Sequence, residues 1–212
     1  MGRGFRSGQV DAKELSRQDI AGARRCHLLL RRAELEVAPV RWRTLLEAID
    51  VVPVNSPLRS AAIGRLVSDM TDPAHVELAG EIADEAQDPS AQAAVRLRQA
   101  ELYRSRLNSR AAADIAWSLY ESKRLPADRF RWLFERLASA RQHDRMVRLV
   151  EDRLRSGKAV PQELLNDIAP VYELQGRPVD AKRARTNSLD FKPPPQVPKM
   201  QGGGMGGGFF SP

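Results

Sequence analysis

The chain has one cysteine, Cys26, so no intramolecular disulfide can form and a reducing compartment is permitted. Aromatic residues are only 6% of its 212 residues, while Ala, Leu and Arg abound, which leaves little material for sheets and favours helices. No apolar run approaches the roughly 18 residues of a membrane span, and Leu28–Leu30 is too short for the core of a signal peptide. Arg6 stands where an N-myristoylation signal would need Ser or Thr, and Asp11, Glu14 and Asp19 come too early for a transit peptide. A soluble, unexported and cytoplasmic protein is expected.

Catalytic signatures are equally scarce. The histidines His27, His75 and His143 lie far apart, and with Cys26 alone they cannot supply the spaced ligands of a zinc site. Gly157-Lys158 lacks the upstream glycine and the following Ser or Thr of a phosphate-binding loop. There is no G-x-G-x-x-G before a helix and no G-x-S-x-G elbow. Acidic neighbours such as Asp84-Glu85 and Glu151-Asp152 point to different sides of a helix and share no substrate by local spacing. No catalytic residue, metal or cofactor is expected, and the chain reads as a non-enzyme.

Charge is abundant and unevenly spread. The net charge is +7, but residues 51–88 hold 2 basic and 7 acidic groups, and residues 89–158 hold 16 and 8. An acidic zone therefore precedes a basic one, which can steer acidic or phosphate-bearing partners.

Apolar spacing organises the rest. Residues 1–10, with three Gly and no apolar period, read as a flexible arm. Asp11 and Glu14 have capping-box spacing and predict a helix running toward Val37, with Gly22 as a break. Trp42, Leu45, Leu46 and Ile49 fall at i, i+3, i+4 and i+7, one face of the next helix. Residues 11–56 are thus N-terminal helices that pack on or cap the helical hairpins C-terminal to them. Ser56-Pro57, Asp72-Pro73 and Asp88-Pro89 each pair a capping side chain with a proline suited to a first helical turn.

From 57 to 190 the pattern predicts about four helical hairpins, beginning near Pro57, Ser90, Pro126 and Pro161. Asn108, which tolerates the left-handed conformation, occupies the turn of the second, and Gly157 and Gly176 close later helices. Tyr103, Leu137 and Tyr172 take equivalent places, at separations of 34 and 35 residues. Such a period marks stacked units that bury their apolar faces against neighbours. Residues 191–212, KPPPQVPK then mostly glycine, form a Pro/Gly-rich disordered tail ending in Phe209-Phe210, which could dock in an apolar groove.

Leu165, Ile168, Ala169, Tyr172, Gly176 and Ala181, with Pro193 beyond, resemble the tetratricopeptide repeat, a hairpin of about 34 residues. The likeness covers Ser90–Asp190 best. Phe134 departs from it where the family prefers a small residue at the helix crossing, and Arg185 departs where the second helix usually buries an aromatic. The resemblance implies an all-α, right-handed solenoid whose concave surface is lined by the first helix of each hairpin. On that surface would lie Arg98, Glu101 and Arg104, then Arg131 and Glu135, then Asn166 and Glu173, all off the apolar stripes of their helices. The basic residues that some members use to hold acidic C-termini are not matched.

The expected function is a scaffold or adaptor for a protein or peptide partner. An RNA- or DNA-binding protein using Arg96, Arg98, Arg104, Arg106 and Arg110 beside Tyr103 is the alternative, and a structural subunit held by its N-terminal helices and Phe-ended tail is a third.

Overall fold

Three helical starts arise directly from local chemistry. The Ser56 hydroxyl accepts the Leu58 N–H (3.3 Å) ahead of Pro57. Asp72 Oδ1 accepts the Ala74 N–H (2.8 Å) ahead of Pro73, and Asp88 Oδ1 accepts the Ala91 N–H (2.7 Å) ahead of Pro89. Each satisfies a donor that the first helical turn would otherwise leave orphaned.

The computed structural model describes residues 7–189, with side chains from residue 20 onward, and among these the regular structure is entirely helical. The helices are α1 (Ser7–Leu35), α2 (Val40–Asp50), α3 (Pro57–Asp69), α4 (Val76–Glu85), α5 (Pro89–Ser105), α6 (Ser109–Glu121), α7 (Phe130–Ser139), α8 (His143–Arg155), α9 (Gln162–Leu174) and α10 (Pro178–Arg185). Single 3-10 turns, Pro73–His75 and Ala127–Arg129, lead into α4 and α7.

From α5 onward the helices end alike. The carbonyls of Tyr103, Leu137 and Tyr172 accept the N–H groups of Asn108, Gln142 and Arg177, five residues on, at 2.9, 2.9 and 2.8 Å. The preceding residues, Leu107, Arg141 and Gly176, have positive φ (59°, 55° and 71°) and bond back to Arg104, Ala138 and Glu173. This is the Schellman closure, and it recurs at the 34- and 35-residue separations read in the sequence. Leu119, Arg153 and Arg183 accept equivalent bonds at the ends of α6, α8 and α10.

The chain divides into two compact units at Arg145/Met146. In the first, α1 packs on α2, α2 on α3, α4 on α5, α5 on α6 and α6 on α7. Its core joins Cys26, Leu29 and Ala33 of α1 to Trp42, Leu45 and Ile49, then to Leu66, Met70, Val76, Ile82, Val95 and Leu102, all buried. The Trp42 indole N–H donates to Asp69 (2.7 Å), which also takes a hydrogen bond from Arg41 (2.7 Å), tying α2 to the end of α3. In the second unit, Leu164, Leu165, Ile168, Ala169 and Tyr172 of α9 are buried with Ala181 and Ala184 of α10, on which α9 packs.

Four local expectations need correction. α1 begins at Ser7, within the stretch read as an arm, so Asp11 and Glu14 lie inside the helix; their spacing suits a helix interior as well as a cap. Gly22 breaks nothing, because a Cβ there would collide with the Val51 carbonyl oxygen and the glycine lets α1 pass that close. Asn108 is not the left-handed residue of its turn. Leu107 is, while the Asn108 side chain accepts the Ala111 N–H (3.1 Å) and caps α6. Finally, α3 and α4 do not run along each other as a hairpin. α3 lies on α2 and touches α5, and α5 holds the carbonyls of Met70 through Arg98 (2.6 Å) and of Val76 through Gln99 (3.2 Å), engaging both sides of their connection.

Candidate partner-binding surface

Five of the residues expected on the partner surface belong to α5 and α7 of the first unit. Helical spacing brings them together in pairs, and several are consumed by the fold. Arg98 is half-buried; its Nε donates to the Met70 carbonyl and its Nη1 to Glu101 (2.8 Å). Both serve the packing of α5. Arg131 donates to Glu135 (3.1 Å), four residues on and exposed. Arg104 is exposed and has neither a hydrogen-bond nor an ion-pair partner among the described residues.

The structure adds a residue that the sequence reading missed. Arg136, beside Glu135, is 8% exposed and its guanidinium makes no hydrogen bond among the described residues. Its nearest carboxylate oxygen, on Glu135, is 3.8 Å away, and its guanidinium carbon stands 5.9 Å from the centre of the Trp132 ring. Burial pushes its pKa down, the nearby positive charge of Arg104 adds to the effect, and Glu135 partly offsets it. Its Nε is buried and has no acceptor, while the Nη groups make no hydrogen bond among the described residues. One signal was legible in the sequence, since Trp132 and Arg136 are four apart and share a helix face.

Glu135 is shared by Arg131, which donates to it, and Arg136, 3.8 Å away, and Arg104 adds its charge beside Arg136. Arg104 and Arg136 are thus neighbouring cations on α5 and α7, and the two Nη groups of Arg136 can offer a bidentate pair of donors to an oxyanion.

The remaining expected residues lie in the second unit. Asn166 is exposed and accepts from Gln162 (2.8 Å), four residues earlier. Glu173 is bonded by Arg185 (2.7 Å), which lowers the pKa of the one and raises that of the other. Phe209 and Phe210 lie outside the described residues.

The arginines weighed for nucleic-acid contact divide. Arg96 is held by Asp84 and Gln99, and Arg106 lies 3.8 Å from Glu77, which also accepts from the Tyr103 hydroxyl (3.0 Å). Arg110 has no hydrogen-bond or ion-pair partner among the described residues. A cleft of about 550 Å³, lined by residues of α5 and α6 such as Ala93, Ile115 and Leu119, has well-matched polar groups. Arg124 at that cleft bonds to Gln92, and Asp114 takes hydrogen bonds from Arg145 (2.5 Å) and Gln142 (2.9 Å).

Among the described residues no helix is long and apolar enough to cross a membrane, and no group of three or more His, Cys, Asp or Glu could hold a metal ion. No protein-family model matches the chain, and no curated protein or solved structure matches it.

Proposed function

We propose that the chain is a non-enzymatic helical-repeat scaffold, a right-handed α-solenoid of tetratricopeptide-like hairpins, that holds an acidic segment of a protein partner against α5 and α7. The recurring closure at Tyr103, Leu137 and Tyr172 supports the repeat. The partner reading is carried by the buried Arg136 guanidinium without a hydrogen-bond acceptor. A largely buried cation with an unsatisfied Nε is destabilising, and a carboxylate from outside the chain that pairs with its Nη groups would offset that cost. Arg104 beside it strengthens the attraction and speeds encounter with an acidic partner.

The test is a pull-down with tagged full-length protein from the native lysate, with and without nuclease, comparing wild type with Arg136→Met. A defined protein set that survives nuclease and is lost with Arg136→Met is the expected result. Recovery unchanged by the substitution removes α7 from the reading. Recovery that vanishes with nuclease moves the 89–158 zone, and nucleic acid, into first place.

A further inference from the structure

α1 presents two pairs of adjacent arginines, seven residues apart, and the structure treats the members of each pair differently. Arg25 donates to Glu47 of α2 (2.5 Å), and Arg32 to Glu36 (2.7 Å). Arg24 and Arg31 are exposed and have no hydrogen-bond or ion-pair partner among the described residues. They share their face of α1 with exposed aliphatic side chains: Ile20, Arg24, Leu28, Arg31 and Leu35 succeed one another at helical intervals of 4, 4, 3 and 4. Leu28 is 71% exposed and Leu35 90%. The opposite side, Cys26, Leu29 and Ala33, is buried in the core with α2. Glu34, the nearest carboxylate in sequence to Arg31, is taken by Arg65 (3.1 Å).

We infer that this outward row of α1 is a docking surface for one amphipathic helix of a partner protein, in which aliphatic residues alternate with carboxylates. Apolar side chains this exposed and aligned mark an interface. The unmatched charges choose its occupant. A second copy of α1 is disfavoured, because antiparallel pairing about Leu28 sets Arg24 against Arg31 and parallel pairing sets each arginine against itself. A bilayer is disfavoured because helices lying in a membrane surface segregate cations from the apolar face, whereas Arg24 and Arg31 stand inside the aliphatic row. An acidic helix covers the leucines and places a carboxylate against each guanidinium. None of the α5 and α7 residues takes part, so this face and the Arg136 patch stand or fall separately.

The experiment uses the full chain and a labelled synthetic peptide of three heptads with Leu at positions a and d and Glu at e and g, read by fluorescence anisotropy. A second peptide carries Lys in place of Glu. The acidic peptide is expected to bind and the basic one not. Arg24→Glu combined with Arg31→Glu, with unchanged helical circular dichroism, weakens the acidic peptide by about tenfold or more and admits the basic one. Leu28→Asn, which leaves the charges intact, weakens the acidic peptide as well. Absence of saturable binding, or equal binding of the two peptides, overturns the inference. So does dimerisation abolished by Leu28→Asn, which assigns the face to a second copy. Co-sedimentation with phosphatidylserine vesicles, lost on the same substitution, assigns it to a membrane and overturns the inference too.

Discussion

Arg59 of α3 and Asp88 at the start of α5 form an ion pair almost closed to solvent, their side chains 11% and 2% exposed. Asp88 divides its oxygens, one capping α5 through the Ala91 N–H and the other receiving the Arg59 guanidinium, which also donates to the Val52 carbonyl (2.6 Å). One carboxylate thus ties the α2–α3 connection, α3 and α5 together across 29 residues of sequence.

Removing that carboxylate should cost more than a helix cap. Asp88→Ala leaves Arg59 nearly buried with the Val52 carbonyl and the charge of Asp50 but no carboxylate hydrogen bond, and is expected to destabilise the protein by about 3 kcal/mol. Asp88→Asn keeps an oxygen for the Ala91 N–H and loses only the charge, so its cost should be smaller. Urea unfolding of both variants reads the difference: equal losses would mean that the cap contributes nothing beyond the ion pair, and a negligible loss in Asp88→Asn would mean that the charge contributes nothing beyond the cap.

The same carboxylate gives stability a pH dependence. Burial pushes the Asp88 pKa up, but the Ala91 N–H and Arg59 outweigh it and hold the group below the ordinary carboxylate value. A depressed folded pKa contributes stability that is present above the unfolded pKa of about 3.9 and is lost as pH falls through the lower folded value. Stability should therefore decline on acidification below about pH 4, and Asp88→Asn should flatten that decline. An unchanged acid limb in the variant would count against the assignment.

Tyr172 separates ring from hydroxyl. It is fully buried, its ring lies beneath the Arg177 guanidinium at 4.7 Å, and its hydroxyl has no hydrogen-bond partner among the described residues. Tyr172→Phe should be neutral or mildly stabilising, because an unsatisfied buried hydroxyl is removed at constant packing. Tyr172→Ala should cost about 3–5 kcal/mol through the cavity it leaves. Thermal unfolding distinguishes the two, and a large loss in the Phe variant would reveal a partner for the hydroxyl.

Arg136→Met should raise stability or leave it unchanged while abolishing partner capture, since a largely buried charge with an unsatisfied Nε is exchanged for a side chain that packs without a charge. A fall of several kcal/mol in urea unfolding would show instead that the contacts with Trp132 and Glu135 hold the native state together.

Gly22→Ala tests the crossing of α1 near Val51. In a free helix the change would gain about 1 kcal/mol. Here the added Cβ collides with a backbone oxygen, so the midpoint of urea unfolding should fall. A rise would mean that α1 can move away without loss.

Features that depend on neighbours a few residues apart are legible in the order of amino acids alone. Capping residues beside Pro57, Pro73 and Pro89 start their segments because the acceptor and the orphaned N–H belong to the same turn. Leu165, Ile168, Ala169 and Tyr172 are buried because helical spacing puts them on one face. Tyr103, Leu137 and Tyr172 share one backbone closure because a left-handed residue four positions on turns the chain back at each. Which charged side chains are matched depends instead on contacts between distant segments. Arg98 looked like a surface residue until the Met70 carbonyl, 28 residues away, accepted its guanidinium, and Gly22 looked like a break until Val51 came to lie against it. Arg24 and Arg25 are chemically identical neighbours, yet the position of Glu47 on α2 neutralises only one of them. Arg136 was one arginine among many until packing shut its Nε from water and put no acceptor in its place. Backbone geometry is set by short-range sterics and hydrogen bonds, whereas the state of a charge depends on which distant group the fold brings within about 4 Å of it.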